Sequence, residues 1–464
     1  MASGATDVCG RWGVERVWSV RPLRICHLGK YYPPAPGGIE THVRTLATAQ
    51  AALGADVRIL CVNHTDTRGR DVTWSRYGAT ETVTETDHGV RVTRLGRSAH
   101  VAKLDVVPEL RKHFRNFKRD PVDVLHLHTP NPTMLLAVAA LRPWAPLVIT
   151  HHSDVVKQRK LYLAFAPFEQ MVYERATRII SNSPNYIDGS DILQAHREKV
   201  QSLAMGLDLQ EFQHPSAAAL KHAAELRRRF AGGPLWLSVG RCVYYKGYDT
   251  ALRALRSVPG NLIIIGQGPY QVGLIEMARA LGVADRVHWW GYATRDELVG
   301  SYLAATAFWF PSNARSEAFG LVQVEAMASG CPVINTRIPA SGVAWVSPHE
   351  RTGLTVPVGD AHAFAAAANR LLHEPGLRDA LSAQARIDAA ERFAHTTMAA
   401  RSLALYAEMT EQPMPAIAAP AMASSATAVW SHDLPVTMAP TQRSRQWRLP
   451  VPPPVPLTAA PSWS

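Results

Sequence analysis

Two carboxylates, Glu317 and Glu325, stand in the segment SEAFGLVQVEAMASG, directly after a strand-like run, TAFWFPS. The pattern predicts a strand, a loop carrying Glu317, and a helix carrying Glu325 two turns further on. At such a junction the first N–H groups of the helix lack internal partners and the helix dipole favours an anion. Phe319, Gly320 and Leu321 can therefore offer amides to an anionic ligand, and Glu325 can accept hydroxyl hydrogens from a ribose. A second run, SVGRCVYYKGYD, delivers Arg241 and Lys246 after a strand. Two cations there meet the needs of a diphosphate leaving group. At about 4 Å and an effective dielectric near 20, one such charge supplies roughly 4 kcal/mol before desolvation.

Three further constellations bear on chemistry. In GKYYPPAPGGIETHVRTLA, Gly37 and Gly38 lie between a strand and a helix, where a glycine lets the chain approach a ligand and a helix N-terminus favours phosphate. VLHLHTPNP places His126 and His128 on one face of a strand, and VITHHSDVVKQRK supplies His151, His152 and Asp154 after the next. Imidazole and carboxylate suit zinc or iron, but no downstream Cys or Glu completes a recognisable ligand spacing. These residues are read instead as the wall opposite the cations, with His128 bonding a sugar hydroxyl and Asp154 orienting an acceptor. GQGPY begins like a dinucleotide fingerprint, but Gln271 stands where its third glycine belongs, which disfavours a nicotinamide oxidoreductase.

These residues need strands to deliver them, and the chain supplies short apolar runs alternating with helical stretches, the pattern of parallel sheets covered by helices. RICHLG, DVRILCV, VRVTRL, VDVLHLH and APLVITHH serve the first half, and PLWLSVGR, NLIIIGQG, DRVHWWG, TAFWFPS and CPVINT the second. The expected organisation is an extension over 1–21, a first α/β unit over 22–206, a second α/β unit with terminal helices over 207–411, and a Pro/Ala-rich tail over 412–464. Both ends are expected to be disordered. The helix ELRKHFRNFKRD puts Leu110, Phe114 and Phe117 on one stripe among Arg111, Lys112, Arg115, Lys118 and Arg119, which could lie on an anionic membrane surface or pack on the sheet.

The chain has 464 residues, 47% of them hydrophobic, and a formal charge of +11, which is a globular composition with room for more than one core. Its five cysteines are scattered without a C-x-x-C, so no disulfide framework or zinc knuckle is expected. No apolar window is long enough to span a membrane and the start carries no secretory signal, so the expected location is the cytoplasm, with peripheral contact at the membrane face. Nucleic acid is not an expected partner, because no aromatic platform accompanies the charge.

Taken together, GGIE (37–40), HSD (152–154), GRCVYYKG (240–247) and RSEAFGLVQVEAMASG (315–330) resemble the retaining glycosyltransferases of family 4 in order and spacing. The resemblance covers about residues 22–410 and implies an α/β GT-B fold, two facing Rossmann-like domains around a central crevice. HSDVVKQ, SPNY, YYKG and RSEAFG are similar to the bacterial O-polysaccharide mannosyltransferases that use GDP-mannose. The resemblance implies that Gly37 and Gly38 approach the donor diphosphate and that Arg241 and Lys246 neutralise it. It further implies that Glu317 holds the transferred sugar, that the amides of Phe319, Gly320 and Leu321 bind sugar and phosphates, and that Glu325 takes the ribose. His152 matches the active-site histidine. The Gly291–Ala293 loop, with Tyr292, is expected at the base. The implied partners are a nucleotide-sugar donor and a lipid-linked or growing saccharide acceptor, with no cofactor and no metal. UDP-sugar transfer, another GT-B chemistry such as epimerisation, and a catalytically lapsed scaffold are the alternatives.

Overall fold

The structure is a computed structural model that describes residues 21–35, 37–65, 71, 79–101, 104–154 and 159–412. Apart from Arg21 and Gln412, the two expected terminal extensions lie outside the described residues.

The first lobe is built on Arg24–Leu28 (β1), Asp56–Val62 (β2), Val83–Asp87 (β3), Val90–Leu95 (β4), Val124–Thr129 (β7), Leu147–His151 (β8), Arg178–Ser181 (β9) and Val200–Ser202 (β10). Ala99–Val101 (β5) and Leu104–Val106 (β6) form a separate antiparallel pair. The eight strands run in the order β10-β9-β8-β7-β1-β2-β4-β3, all parallel except the β3–β4 pair. Their central members are buried apart from Arg24 at the start of β1, which is why they read as nearly continuous apolar runs.

The second lobe holds Leu235–Val239 (β11), Asn261–Ile265 (β12), Val287–Gly291 (β13), Ala307–Phe310 (β14), Val333–Thr336 (β15) and Gly353–Val356 (β16). These pair in parallel in the order β13-β12-β11-β14-β15-β16. Counted from the first strand of the lobe, the order is 3-2-1-4-5-6, the doubly wound arrangement in which β11 and β14 flank a topological switch point. Chain leaving β11 turns toward one side of the sheet and chain leaving β14 toward the other, so a crevice opens at their carboxyl ends. The stacked indoles of Trp236 and Trp309, 5.0 Å apart, fix these two strands against each other.

Packing decides one open reading and revises one expected boundary. The stripe Leu110, Phe114 and Phe117 lies in the first-lobe core, each residue under a tenth exposed, with the helix Leu110–Asn116 against the helix Pro132–Leu141. It offers no apolar face to a membrane; Arg111, Lys112, Arg115, Asn116, Lys118 and Arg119 are the residues that face outward. The expected unit 207–411 does not hold together to its end either. The helix Leu377–Phe393 packs in the second lobe through Ala385, Ala389 and Phe393, but the chain then crosses at Ala394. The final helix, His395–Thr410, lies on the helix Gly38–Ala52 of the first lobe, with Ala399, Ala400, Leu403 and Tyr406 in its core. Among the described residues no helix is long and apolar enough to cross a membrane.

Candidate active site

At the switch point, the turn Tyr244–Lys246 after β11 and the loop after β14 are stitched together: Asn313 N donates to Tyr245 O at 2.8 Å and Asn313 Nδ2 to Tyr244 O at 3.3 Å. Gly247 makes that approach possible. Its φ is +65°, and a Cβ there would lie 2.0 Å from the carbonyl oxygen of Pro311. The outcome is that Lys246 Nζ sits 2.6 Å from Glu317 Oε2, both side chains about nine-tenths buried. Ser312 Oγ donates to the same carboxylate oxygen at 3.3 Å. The Phe310 ring lies 5.0 Å below the ammonium.

Gly320 caps the helix Leu321–Ala328 without a side-chain hydrogen bond, and among the described residues the amides of Phe319, Gly320 and Leu321 donate to no protein acceptor. Open N–H groups thus stand beside a lysine, a combination suited to an anion. Arg241 is exposed, and no ion pair among the described residues engages it. Glu325 is tied from its own lobe: Tyr302 donates to it at 2.9 Å and Arg295 stands 3.9 Å away. Burial pushes its carboxyl above the usual range, against the charge of Arg295 and the hydroxyl of Tyr302. Tyr292 follows β13 and is 84% exposed. The GQG sequence has a mechanical explanation. A Cβ at Gly266 would lie 2.2 Å from Gly240 O, and one at Gly268 2.4 Å from Cys242 O, so these glycines let the loops after β12 and β11 close on each other.

In the first lobe, the helix Gly38–Ala52 starts with an extended Gly37 and an open surface around Gly38, where a Cβ would meet nothing within 4 Å. The Glu40 side chain folds back over Gly37, and burial raises its carboxyl. One turn into the same helix, His42 packs edge-on to His152 at 4.9 Å between ring centroids. The sequence reading did not assign His42, although a histidine four residues past Gly38 is placed to share its helix face. His152 is 5% exposed, and its Nε2 lies 3.2 Å from His128 Nδ1. His128 also meets His27 at 3.0 Å, so both of its ring nitrogens are occupied. The expected contact of His128 with an acceptor hydroxyl is therefore replaced by a place inside a stack of imidazoles.

Two imidazole triads, His27–His126–His128 and His42–His128–His152, each have ligand nitrogens within 4.8 Å of one another. In the first, every ring nitrogen has a hydrogen-bond partner, to a neighbouring imidazole, Gln50, Thr150 or Tyr406. In the second, Nδ1 of His42 and Nδ1 of His152 are buried without one.

Asp154 does not face an acceptor freely. Its oxygens take hydrogen bonds from His151 Nε2 at 3.0 Å and Ser190 Oγ at 2.6 Å, and an ion pair from Arg315 at 2.6 Å. His151, whose Nδ1 accepts from Tyr173 at 2.7 Å, is thereby given a structural partner on each side. Arg315 comes from the second lobe and also lies over the Tyr186 ring at 4.3 Å, donating to Tyr186 O and Ala340 O. This arginine, unassigned from sequence, ties the loop of Glu317 to the loop of His152: Arg315 is two residues before one and Asp154 two residues after the other. Burial pushes the Asp154 carboxyl up, but hydrogen bonds from His151 and Ser190 and the Arg315 charge outweigh it and lower it to about 2. A carboxyl lowered on folding stabilises above its unfolded value of about 4 and loses that contribution as pH falls through the folded value. Melting temperature should accordingly fall more steeply from pH 4 to 2 in the wild type than in Asp154→Asn; equal slopes would exclude the ion pair as a source of stability.

Doubly wound lobes with lysine, carboxylate and free amides at the switch point define a GT-B glycosyltransferase. Residues 36–211 match the family described as Glycosyltransferase Family 4, and residues 227–388 the one described as Glycosyl transferases group 1. D-rhamnosyltransferase WbpZ of Pseudomonas aeruginosa is 31% identical over 361 residues, 76% of this chain and 87% of that protein. O-antigen chain mannosyltransferase C of Escherichia coli is 28% identical over 352 residues, 75% and 88% respectively. The chain belongs to the family 4 glycosyltransferases. Among solved structures, sucrose-phosphate synthase from Thermosynechococcus elongatus superposes with a TM-score of 0.65 at 24% identity, covering 84% of this chain and 99% of that one. A Rickettsia africae glycosyltransferase gives 0.66 at 17% identity, covering 84% and 100%, and these likenesses speak for the fold.

Proposed function

We propose that the protein is a retaining glycosyltransferase that moves mannose from GDP-mannose onto a lipid-linked or growing polysaccharide acceptor. The observation that carries this reading is the Lys246–Glu317 pair at the switch point, flanked by the free amides of residues 319–321 and tied to the His152 loop through Arg315 and Asp154. In it, Lys246, Arg241 and the amides hold the diphosphate, Glu317 holds hydroxyls of the transferred sugar, Glu325 holds the ribose and His152 faces the sugar from the first lobe. The acceptor oxygen attacks the anomeric carbon on the face from which the phosphate leaves. The carbon–phosphate-oxygen bond breaks with its electron pair on the phosphate, and that phosphate takes the acceptor's proton. The charges on Lys246 and Arg241 do the neutralising, so no metal is required. Mannose is supported by the Escherichia coli relative. The Pseudomonas aeruginosa relative favours a second reading, transfer of D-rhamnose, the 6-deoxy form of the same sugar. The exposed Arg111, Lys112, Arg115 and Lys118 give a cationic face that can meet an anionic bilayer without insertion, consistent with a lipid-linked acceptor in the cytoplasm.

Thermal unfolding without added metal, in GDP, GDP-mannose, UDP or UDP-glucose, tests the donor. Ligand at about 100 times its dissociation constant should stabilise by roughly 2.7 kcal/mol. Stabilisation by the guanine nucleotides alone is expected; stabilisation by the uracil nucleotides alone would overturn GDP-mannose as donor.

A further inference from the structure

A buried hydrogen-bonded chain connects the last helix to His152. Ser402 Oγ lies 2.7 Å from the carbonyl oxygen of Ala399 and 2.8 Å from Gln50 Nε2. A carbonyl only accepts, so the single proton of the serine points at Ala399 and its oxygen accepts from Gln50. That contact decides which way round the Gln50 amide sits. Its NH2 faces Ser402, with Tyr406 Oη a further 3.5 Å neighbour, and its Oε1 faces His27 Nε2 at 2.8 Å. His27 Nε2 must therefore carry a proton.

Burial keeps these imidazoles neutral, lowering His27 to about 4 and His128 and His152 well below the ordinary histidine value. A neutral imidazole has one N–H and one bare nitrogen. With its proton on Nε2, His27 presents a bare Nδ1, and His128 Nε2, 3.0 Å away, donates to it. His128 Nδ1 is then bare and accepts from His152 Nε2 at 3.2 Å. The proton of His152 is thus on Nε2, and its Nδ1 is an unprotonated, buried atom without a hydrogen-bond partner.

We propose that Ser402 and Gln50 are positioning residues that set the tautomer of His152, so that its unpartnered, buried ring nitrogen is a bare acceptor, the partner a sugar hydroxyl entering the site would need, rather than an N–H donor. The inference rests on the reading above only in giving that nitrogen a sugar to meet. The hydrogen-bonded chain starts on the helix His395–Thr410, which packs on the first lobe after the second lobe ends.

Long-range proton–nitrogen correlation spectra of the ligand-free, full-length protein, labelled with 15N-histidine and assigned by the signal missing in His152→Asn, read the tautomer directly. In the wild type, His152 is expected with Nε2 protonated and Nδ1 bare. In Gln50→Leu the acceptor that pins His27 is gone, and the His152 nitrogens should move toward an average of both tautomers. The same variant should lose about tenfold in kcat/KM for the donor, the scale of one hydrogen bond left unmade. An Nδ1-protonated His152 in the wild type, or an unchanged His152 signal in a folded Gln50→Leu, would overturn the proposal. Should Gln50→Leu not fold, Ser402→Ala removes a single oxygen, frees the amide to turn over, and is expected to mix the tautomers in the same way; an unchanged signal there has the same meaning. A different donor sugar would leave the tautomer result standing, and an unaffected tautomer would leave the transfer reading standing.

Discussion

Replacing Lys246 by alanine is expected to lower kcat by 100-fold or more, the scale on which removing one charge-stabilising group acts in a pre-organised site. On the proposed reading the lysine is held where charge develops. Its loop is pressed onto the end of β14 through Gly247, its ammonium is 2.6 Å from Glu317, and its side chain is 11% exposed. Such a group has no reorganisation to undergo when the diphosphate departs, and the low-dielectric surroundings strengthen its attraction. Because the interaction grows as the bond to the anomeric carbon breaks, the loss should appear in kcat more than in KM. Lys246→Arg should recover only part of the rate, since a planar guanidinium cannot take the position of a compact ammonium between Glu317 and the Phe310 ring. Steady-state kinetics on variants whose melting temperature is checked in parallel decide the matter; near-wild-type turnover in a folded Lys246→Ala would remove the lysine from the diphosphate clamp.

Truncating Leu403 to alanine is expected to cost about 2–5 kcal/mol of stability, the range for a buried leucine whose cavity cannot collapse. Leu403 is fully buried and packs with Leu23, Ile25, Val43 and Ala47 of the first lobe, although it lies beyond the last element of the second. The helix His395–Thr410 therefore acts as a strap, and its loosening should weaken the first lobe. Urea unfolding measures it. A change below about 0.5 kcal/mol, the level of an ordinary surface substitution, would mean that the helix is peripheral to the core.

The strands that deliver the site were legible because they are buried on both faces. β1, β7, β8, β11, β12 and β14 each coincide with an apolar run, and the chemistry begins just past their ends. Some strands left no such trace. β3 is VTETD with four of its five residues exposed, and β9 and β16, four residues each like β14, lack the aromatic run AFWF that marks β14. The stripe Leu110–Phe114–Phe117 illustrates the limit of amphipathicity: it says that a face is apolar and not what covers it. The same holds for the last helix, whose buried face was evident but whose choice of lobe depends on a crossing at a single residue, Ala394. In the site, Lys246 and Glu317 came together because one fold rule places both at the ends of adjacent strands. The imidazole stack did not, since Gln50 and Ser402 meet across 352 positions of chain. A signal was present nonetheless. His27 interrupts the apolar RICHL and Gln50 the apolar face of LATAQAA, and a polar side chain in such a place must find a partner in the interior.

The most direct test of the central claim is a crystal structure of the protein with GDP bound. The diphosphate is expected between Arg241, Lys246 and the amides of Phe319, Gly320 and Leu321, with the ribose against Glu325. A diphosphate held by other residues, with Lys246 still paired to Glu317 and out of its reach, would contradict the account.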